Sequence, residues 1–355
     1  MENLEKYLSV LEHDQQGLLL TSRYSRYYTA RHDIAEAVAV VSKGGCRYFT
    51  DSRYIESAQN DIHNFQVMEM NRENPFCKLI NDACADFGIT ELGYEEDYLT
   101  VAEFHDYAEK LTAALKPMGS KINAFRAVKE PWEIAYMKKA QDITDLAFSE
   151  MLTRIRPGLT EKQLEAELIY CLLKNGADGL SFDPIVVSGP NTSMPHGVAG
   201  DRVVQPGDFL TMDFGAVYKG YCADMTRTVA IGYATEEMEK VYNTVLQAQL
   251  AGIAATKAGA SGADVDGAAR KVIEDAGYGP YFGHGYGHSL GMEVHEMPSC
   301  SPRYTKPIAA GTLCSAEPGI YLPGKFGVRI EDVVIFTENG CENITHSPKT
   351  LIIVK

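Results

Sequence analysis

The sequence has no C-x-x-C pair, no run of 18 apolar residues and no excess of basic charge. Its eight cysteines, at 46, 77, 84, 171, 222, 300, 314 and 341, are scattered along 355 residues. A chain of this length needs no disulfide framework, and scattered thiols suit a reducing cytoplasm. Each cysteine is expected to act as a small buried hydrophobe. Without a long apolar run, no membrane span is expected. The opening residues MENLEKYLSVLEHDQQ lack the basic start and apolar stretch of a signal peptide. Lys plus Arg number 33 against 48 Asp plus Glu, a formal charge of −15. Phosphate backbones need a basic stripe, so nucleic acid is not an expected partner.

What is present is an ordinary globular composition, 45% hydrophobic and 23% charged. The length suggests two domains or three. The pattern reads as α+β, with two mixed α/β domains. In the first, residues 35–41 form an apolar run ended by Lys43-Gly44-Gly45, a strand and turn, with 46–50 as its hairpin partner. Asp51 and Ser52 are expected to cap a helix over 53–58. Asn74-Pro75 opens another helix and Gly88 stops it. Lys116-Pro117-Met118-Gly119-Ser120 is a break, which places the smaller N-terminal domain at 1–124 and the second domain at 125–355. There, Pro131 begins a helix running to about Ile155, and Thr160 with Gln163 caps another closed by Gly176. Strand-like runs follow at 184–187, 209–212 and 226–231, then helical stretches at 235–256 and 265–276. The order of helices then an acidic hairpin occurs twice.

Those hairpins carry the chemistry. Asp213 and Asp224 are equidistant from a midpoint between Tyr218 and Lys219. Folding there sets the two carboxylates opposite one another, about 4.5–5.5 Å apart, where like charges destabilise. Glu317 and Glu331 are likewise equidistant from Gly324, inside a Pro-Gly-Lys turn. A cation between each pair removes the conflict. Four oxygen donors favour Mg, Ca or Mn over zinc, unless a nitrogen ligand joins them. His196, His284, His288 and His295 supply candidates, in a stretch whose glycines allow close backbone approach. Four carboxylates carry −4 and two divalent cations +4, so a neutral di-metal site able to generate hydroxide is the expectation.

The motifs Met194-Pro195-His196-Gly197, Asp213…Asp224, Gly283-His284-Gly285-x-Gly287-His288-x-x-Gly291-x-x-x-His295-Glu296, Glu317-Pro318-Gly319-Ile320-Tyr321 and Val328-Arg329-Ile330-Glu331-Asp332 occur in this order. In this the chain resembles the Xaa-Pro peptidases, the aminopeptidase P and prolidase group of the creatinase and methionine aminopeptidase superfamily, peptidase family M24. Tyr48-Phe49-Thr50-Asp51-Ser52-Arg53-Tyr54 is similar to the N-terminal domain of the same group. The resemblance implies a pita-bread fold with a curved antiparallel sheet behind a creatinase-like N-terminal domain. It implies Asp224 and Glu331 as bridging ligands, Asp213 completing one metal, and His288 with Glu317 completing the other. Glu317, His196 and His295 would be catalytic; His284, Arg329 and Tyr221 would bind substrate. It further implies manganese, with cobalt or zinc as alternatives, short peptides with proline second as substrates, and a cytoplasmic homodimer. Ser315 stands where the family usually has a Thr before Glu317, so the hydroxyl is retained.

Two other readings compete. Gly287-His288-Ser289-Leu290-Gly291 matches the nucleophile elbow G-x-S-x-G, with Asp332 and His346 following in a permissible order, so a serine hydrolase using Ser289 is one. No apolar strand precedes Ser289, which counts against it. The other is a non-catalytic, partner-binding protein on the same fold, which would be expected to have lost ligands.

Overall fold

A computed structural model describes residues 2–355. The chain divides into two compact units, Met1–Arg126 and Ala127–Lys355. In the first, a six-stranded mixed sheet has the order Gln66–Met70, Gly45–Asp51, Ala37–Ser42, Gln16–Leu20, Glu91–Tyr94, Ala114–Pro117. The apolar run read as a strand is one: Ala37–Ser42 pairs antiparallel with Gly45–Asp51. Its side chains are buried along the whole strand because helices cover the sheet, as the Phe76–Phe87 helix does through Leu79, Ile80 and Ala83. That helix ends at Gly88, in the left-handed region at φ 68°, as read from the sequence.

One local expectation fails here. The helix after Asp51 begins later, at Ile55–Asp61, and has no side-chain cap. Asp51 is still part of its strand, pairing with Met70, and its carboxylate turns to the backbone N–H and guanidinium of Arg53 instead. The segment 116–120, read as the break before the domain boundary, carries regular structure. Its first residues lie in the edge strand Ala114–Pro117, and the helix Gly119–Asn123 follows at once.

The second unit contains the doubled order of helices and strands. Helices Pro131–Met151 and Glu161–Lys174 precede strands Ile185–Ser188, Phe209–Phe214 and Met225–Ile231, which form one sheet with Ile353–Val354. Helices Glu236–Ala255 and Gly262–Asp275 precede a second sheet, ordered Glu296–Cys300, Gly287–Ser289, Leu313–Ala316, Asp332–Thr337, Gly340–Asn343, and the hairpin Gly319–Leu322 with Phe326–Arg329. Each helix pair builds a core with its own strands. Ile143, Phe148, Leu164 and Leu168 pack with Met212, Phe214 and Val229. Val241, Val245, Val265 and Ile273 pack with Cys314, Ile320, Val328 and Phe336. The capping boxes Thr160–Gln163 and Ser261–Asp264 start the second helix of each pair. No helix of the described residues is long and apolar enough to cross a membrane. All eight cysteines are free; five are buried, while Cys46, Cys77 and Cys341 are half-buried.

Arg227 ties the two halves of this unit together. It lies on the strand Met225–Ile231, its side chain 1% exposed. Its guanidinium donates to Asp332 Oδ1 at 2.8 Å, to the carbonyls of Ser347 at 2.8 Å, Thr226 at 3.0 Å and Pro348 at 3.1 Å, and to the carbonyl of Glu331. Removing one partner of such a buried pair leaves an uncompensated charge. Arg227→Ala is therefore expected to destabilise the second unit by roughly 3–5 kcal/mol. The chain's single tryptophan, Trp132, lies in that unit, so its fluorescence during urea unfolding reports the change. An unchanged midpoint would contradict the role given to Arg227.

Candidate metal centre

The first acidic pair comes from adjacent strands. Tyr218 pairs with Tyr221, so the chain turns through Lys219 and Gly220, both with positive φ, at 46° and 74°. This is the two-residue turn that suits the twist of a hairpin. The fold-back lies one residue later than symmetric placement of the aspartates predicts. Asp213 consequently faces Thr226, not Asp224. Asp224 precedes Thr226 by two residues, so it shares that strand face, and the two carboxylates approach diagonally instead of head-on. The second hairpin has the expected centre: Gly319 pairs with Arg329 and Leu322 with Phe326 around Gly324. Glu317 and Glu331 lie two residues beyond its paired ends. The backbone N–H of Glu317 donates to Tyr286 O at 2.8 Å, and that of Glu331 to Thr226 O at 3.1 Å.

His288 completes the cluster from the short strand Gly287–Ser289. Its Nε2 lies 3.3 Å from Glu317 Oε1 and 3.6 Å from Asp224 Oδ2. Its Nδ1 is 3.2 Å from Ser289 O, which leaves Nε2 free to face the acids. Ser315 Oγ accepts from the His288 N–H at 3.0 Å and donates to Glu317 Oε1 at 3.2 Å, so the hydroxyl at this position orients two of the expected ligands. Gly287 permits the approach, since a Cβ there would lie 2.0 Å from Ser315 O.

Donor atoms of Asp224, His288 and Glu331 all lie within 4.8 Å of one another. The electrostatics of the cluster are unfavourable as they stand. Burial, then the neighbouring acids, push the carboxyls of Asp224 and Glu331 well above their ordinary range. Burial also raises Asp213, against the pull of Arg329. Burial opposes charge on Glu317 too, but its hydrogen bond and attraction to His288 prevail and hold it at about 2. The imidazole of His288 is correspondingly held up at about 9, its burial outweighed by Glu317. Asp213 Oδ1 is buried with no hydrogen-bond partner. An orphaned carboxylate oxygen beside three further acids, two of them buried, and an imidazole fits a divalent cation site, with mixed oxygen and nitrogen donors.

Around this cluster lies a cavity of about 700 Å³, lined by all five proposed ligands and by His196, His284, His295 and Arg329. The His295 ring sits 4.3 Å from that of His288. Burial and the adjacent His288 lower its pKa, and burial lowers that of His284. Arg329 donates to Asp213 Oδ2 at 2.6 Å, Tyr321 Oη at 2.9 Å, Thr226 Oγ1 at 3.0 Å and Pro195 O at 3.3 Å. Tyr321 Oη and His284 Nε2 are 2.9 Å apart, and His284 Nδ1 lies 2.8 Å from Gly285 O. A relay of fixed groups thus runs from Asp213 to His284.

Tyr221 does not join the cavity. It is three residues from Asp224, hence on the opposite face of the strand. Its hydroxyl donates to Glu133 Oε1 at 2.8 Å, and its ring packs edge-on against Trp132 at 5.6 Å. The serine hydrolase is excluded as well: Ser289 Oγ is buried without a partner, Asp332 is engaged by Arg227 and Lys349, and no base activates the hydroxyl. Thr226 and Tyr321 escaped the sequence reading. Thr226 Oγ1 donates to Glu331 Oε2 at 2.7 Å while accepting from Arg329. Tyr321 closes the motif that begins at Glu317, but its links to Arg329 and His284 are visible only in the fold.

Comparison with known proteins bears on this site. The model of metallopeptidase family M24 matches residues 135–338, and that of the creatinase/prolidase N-terminal domain matches residues 2–128. The chain belongs to metallopeptidase family M24. A solved Xaa-Pro dipeptidase from Bacillus anthracis is 40% identical, with a TM-score of 0.95 over 99% of each chain. An X-Pro aminopeptidase structure from Thermotoga maritima MSB8 is 36% identical, with a TM-score of 0.91 over 96% of this chain and 97% of that one. The Xaa-Pro dipeptidase of Pyrococcus furiosus is 36% identical over 258 residues, 72% of this chain and 74% of its own. The family resemblance and the pita-bread fold with its creatinase-like N-terminal domain are thereby borne out, and the M24 chain falls in the Xaa-Pro peptidase group.

Metal ligands must be deprotonated to bind. In the metal-free M24 chain, His288 carries a proton up to about pH 9, and raised pKa values favour protons on Asp224 and Glu331. Metal uptake at pH 7–8 should therefore release protons, and apparent affinity should rise with pH up to about 9. Titration calorimetry in buffers of different ionisation enthalpy measures the release; zero protons released would contradict this description.

Proposed function

We propose that this metal-dependent peptidase hydrolyses the bond between an N-terminal residue and a following proline, using two divalent cations and a water shared between them. The observation that carries the proposal is the convergence of Asp213, Asp224, His288, Glu317 and Glu331 from two hairpins and a short strand onto one cavity. The names of the relatives support the Xaa-Pro substrate. Asp224 and Glu331 would be shared by both ions, Asp213 would complete one, and His288 with Glu317 the other. Manganese suits a donor set of four carboxylates and one imidazole, with cobalt or zinc acceptable. When bound, the ions supply Lewis acidity and a hydroxide at neutral pH.

The remaining work belongs to side chains. Glu317 stays ionised through the working pH range and can take a proton from the attacking water. The neutral imidazole of His295 can donate an N–H to the carbonyl oxygen as it gains charge, with His196 beside the same cavity. Water adds to the carbonyl carbon, the C–N bond breaks, and the proline nitrogen leaves with a proton. An Xaa-Pro bond is a tertiary amide without N–H, so a site that acts on its carbonyl forgoes no contact there. Arg329 holds Asp213 and Tyr321 in place instead of reaching out to substrate. The eight free thiols support a reducing compartment such as the cytoplasm; the homodimer remains an implication of the family.

Chelation should abolish cleavage of Xaa-Pro peptides, and manganese or cobalt should restore it. Asp224→Asn should lose metal and activity together. His196→Ala should lower kcat by about 10²–10⁴-fold with metal content retained; metal loss there would make His196 a ligand or a structural residue. If no Xaa-Pro peptide is cleaved after metal addition, the proposal fails.

A further inference from the structure

Of the four histidines that line the cavity, His196 is held differently from the rest. His284 and His288 are fixed through Nδ1 by the carbonyls of Gly285 and Ser289, and His295 packs its ring on His288. His196 is exposed and, among the described residues, its imidazole has no hydrogen-bond partner. Its position must therefore come from its backbone, in the segment between strands Ile185–Ser188 and Phe209–Phe214.

The two ends of that segment meet at one side chain. Glu161, the first residue of the helix Glu161–Lys174, is fully buried. Its Oε1 accepts from the backbone N–H of Ser188 at 2.7 Å, from Ser188 Oγ at 2.8 Å and from Asn191 Nδ2 at 3.1 Å. Its Oε2 accepts from the backbone N–H of Gly200 at 3.0 Å. Oε1 thus takes the beginning of residues 188–200 and Oε2 the end, with His196 between them. A buried carboxylate is costly unless its lone pairs are filled, and four donors fill these.

Other contacts brace this neck. Arg202 donates to Ser188 Oγ and to Asp208 Oδ2, both at 2.6 Å. Gly189, at φ 53°, leaves room for that guanidinium, with which a Cβ would collide. The backbone N–H of Lys162 donates to Gly200 O at 3.1 Å, and that of Glu161 to Arg202 O at 3.0 Å. The middle of the segment rests on the second hairpin. Thr192 Oγ1 accepts from the Gly327 N–H at 2.8 Å, and Pro195 O from Arg329 at 3.3 Å. A compact loop with closed ends places its inner residues as a unit. Glu161, Ser188 and Asn191 do not line the cavity, so the neck can be loosened without touching it.

We propose that Glu161 is a positioning residue for His196: its carboxylate closes the neck of residues 188–200 and so fixes where the imidazole stands in the cavity. The proposal rests on the catalytic role given to His196 above. Glutamine keeps the shape of glutamate but carries an NH2 on one arm. In E161Q that NH2 must face the donors of either Ser188 or Gly200. A misplacement of about 1 Å can cost about 10²-fold in rate.

The test uses the full-length, manganese-loaded chain with Gly-Pro and Gly-Pro-Gly. For whichever peptide is cleaved, E161Q should lower kcat by about 10–10²-fold, with KM and metal content unchanged. E161Q/H196A should turn over no more slowly than H196A, since two residues acting through one group do not add. In the metal-free chain, the amides of 188–200 should exchange hydrogen about ten-fold faster in E161Q, with those of strand Met225–Ile231 unchanged. N191A deletes one donor from a half-buried side chain; it should move the same readouts less, and serves if E161Q does not fold. Unchanged exchange in every folded variant would overturn the closing role of Glu161. Losses that multiply in E161Q/H196A would overturn its action through His196. Full turnover in H196A would remove the role on which the assignment rests. Cleavage of neither peptide by the unmodified chain would overturn the Xaa-Pro reading, and exchange in the metal-free chain would still decide whether Glu161 closes the neck.

Discussion

Four carboxylates, two buried and two half-buried, are held around one imidazole, and the repulsion among them is the constraint on which the second unit's architecture turns. Left alone, acids at this density protonate, and the raised pKa values of Asp213, Asp224 and Glu331 express that tendency. The surrounding groups oppose it only in part. Arg329 neutralises Asp213, and His288 neutralises Glu317, but each is a single positive charge. The orphaned Asp213 Oδ1 marks where compensation is missing. Divalent cations supply it, and their binding is thereby coupled to proton release.

Such a cluster survives only on a scaffold that cannot relax. Both acidic hairpins are bound to one strand, Met225–Ile231. Thr226 pairs across from Asp213 and bonds Glu331 through backbone and hydroxyl. Arg227, one residue on, fastens the carbonyl of Glu331 and the carboxylate of Asp332 from behind. Alternation along a strand puts these two residues on opposite faces, one toward the ligands and one toward the core. The two helix-backed cores then immobilise the strands from either side. Relative placement of the proposed ligands is set by hydrogen bonds and sheet register.

Much of this was legible because turn chemistry and side-chain period are local. The Pro-Gly-Lys turn placed Gly324 at the centre of the second hairpin, and the structure agrees. The capping pair Thr160–Gln163, the helix start at Asn74-Pro75 and the stop at Gly88 followed from residues within one helical turn. The first hairpin was misplaced by one position, because Lys219 takes a left-handed conformation that lysine seldom signals. Tyr221, implied by the family resemblance as a substrate-binding group, is engaged instead by Glu133 and does not line the cavity. Thr226, Arg227 and Tyr321 were illegible as site residues. A threonine or arginine in a strand reads as β-propensity or surface, and only tertiary packing shows that their hydrogen bonds close on the ligands. Asp51 was misread as a cap because its strand continues one residue further than the helix signal implied.

Two cations, not one, are proposed to balance this cluster of acids. The metal content of the purified chain, loaded with manganese, dialysed and measured by mass spectrometry against protein concentration, tests this most directly. Two ions per chain is the predicted result; a single ion per chain, or none, would contradict it.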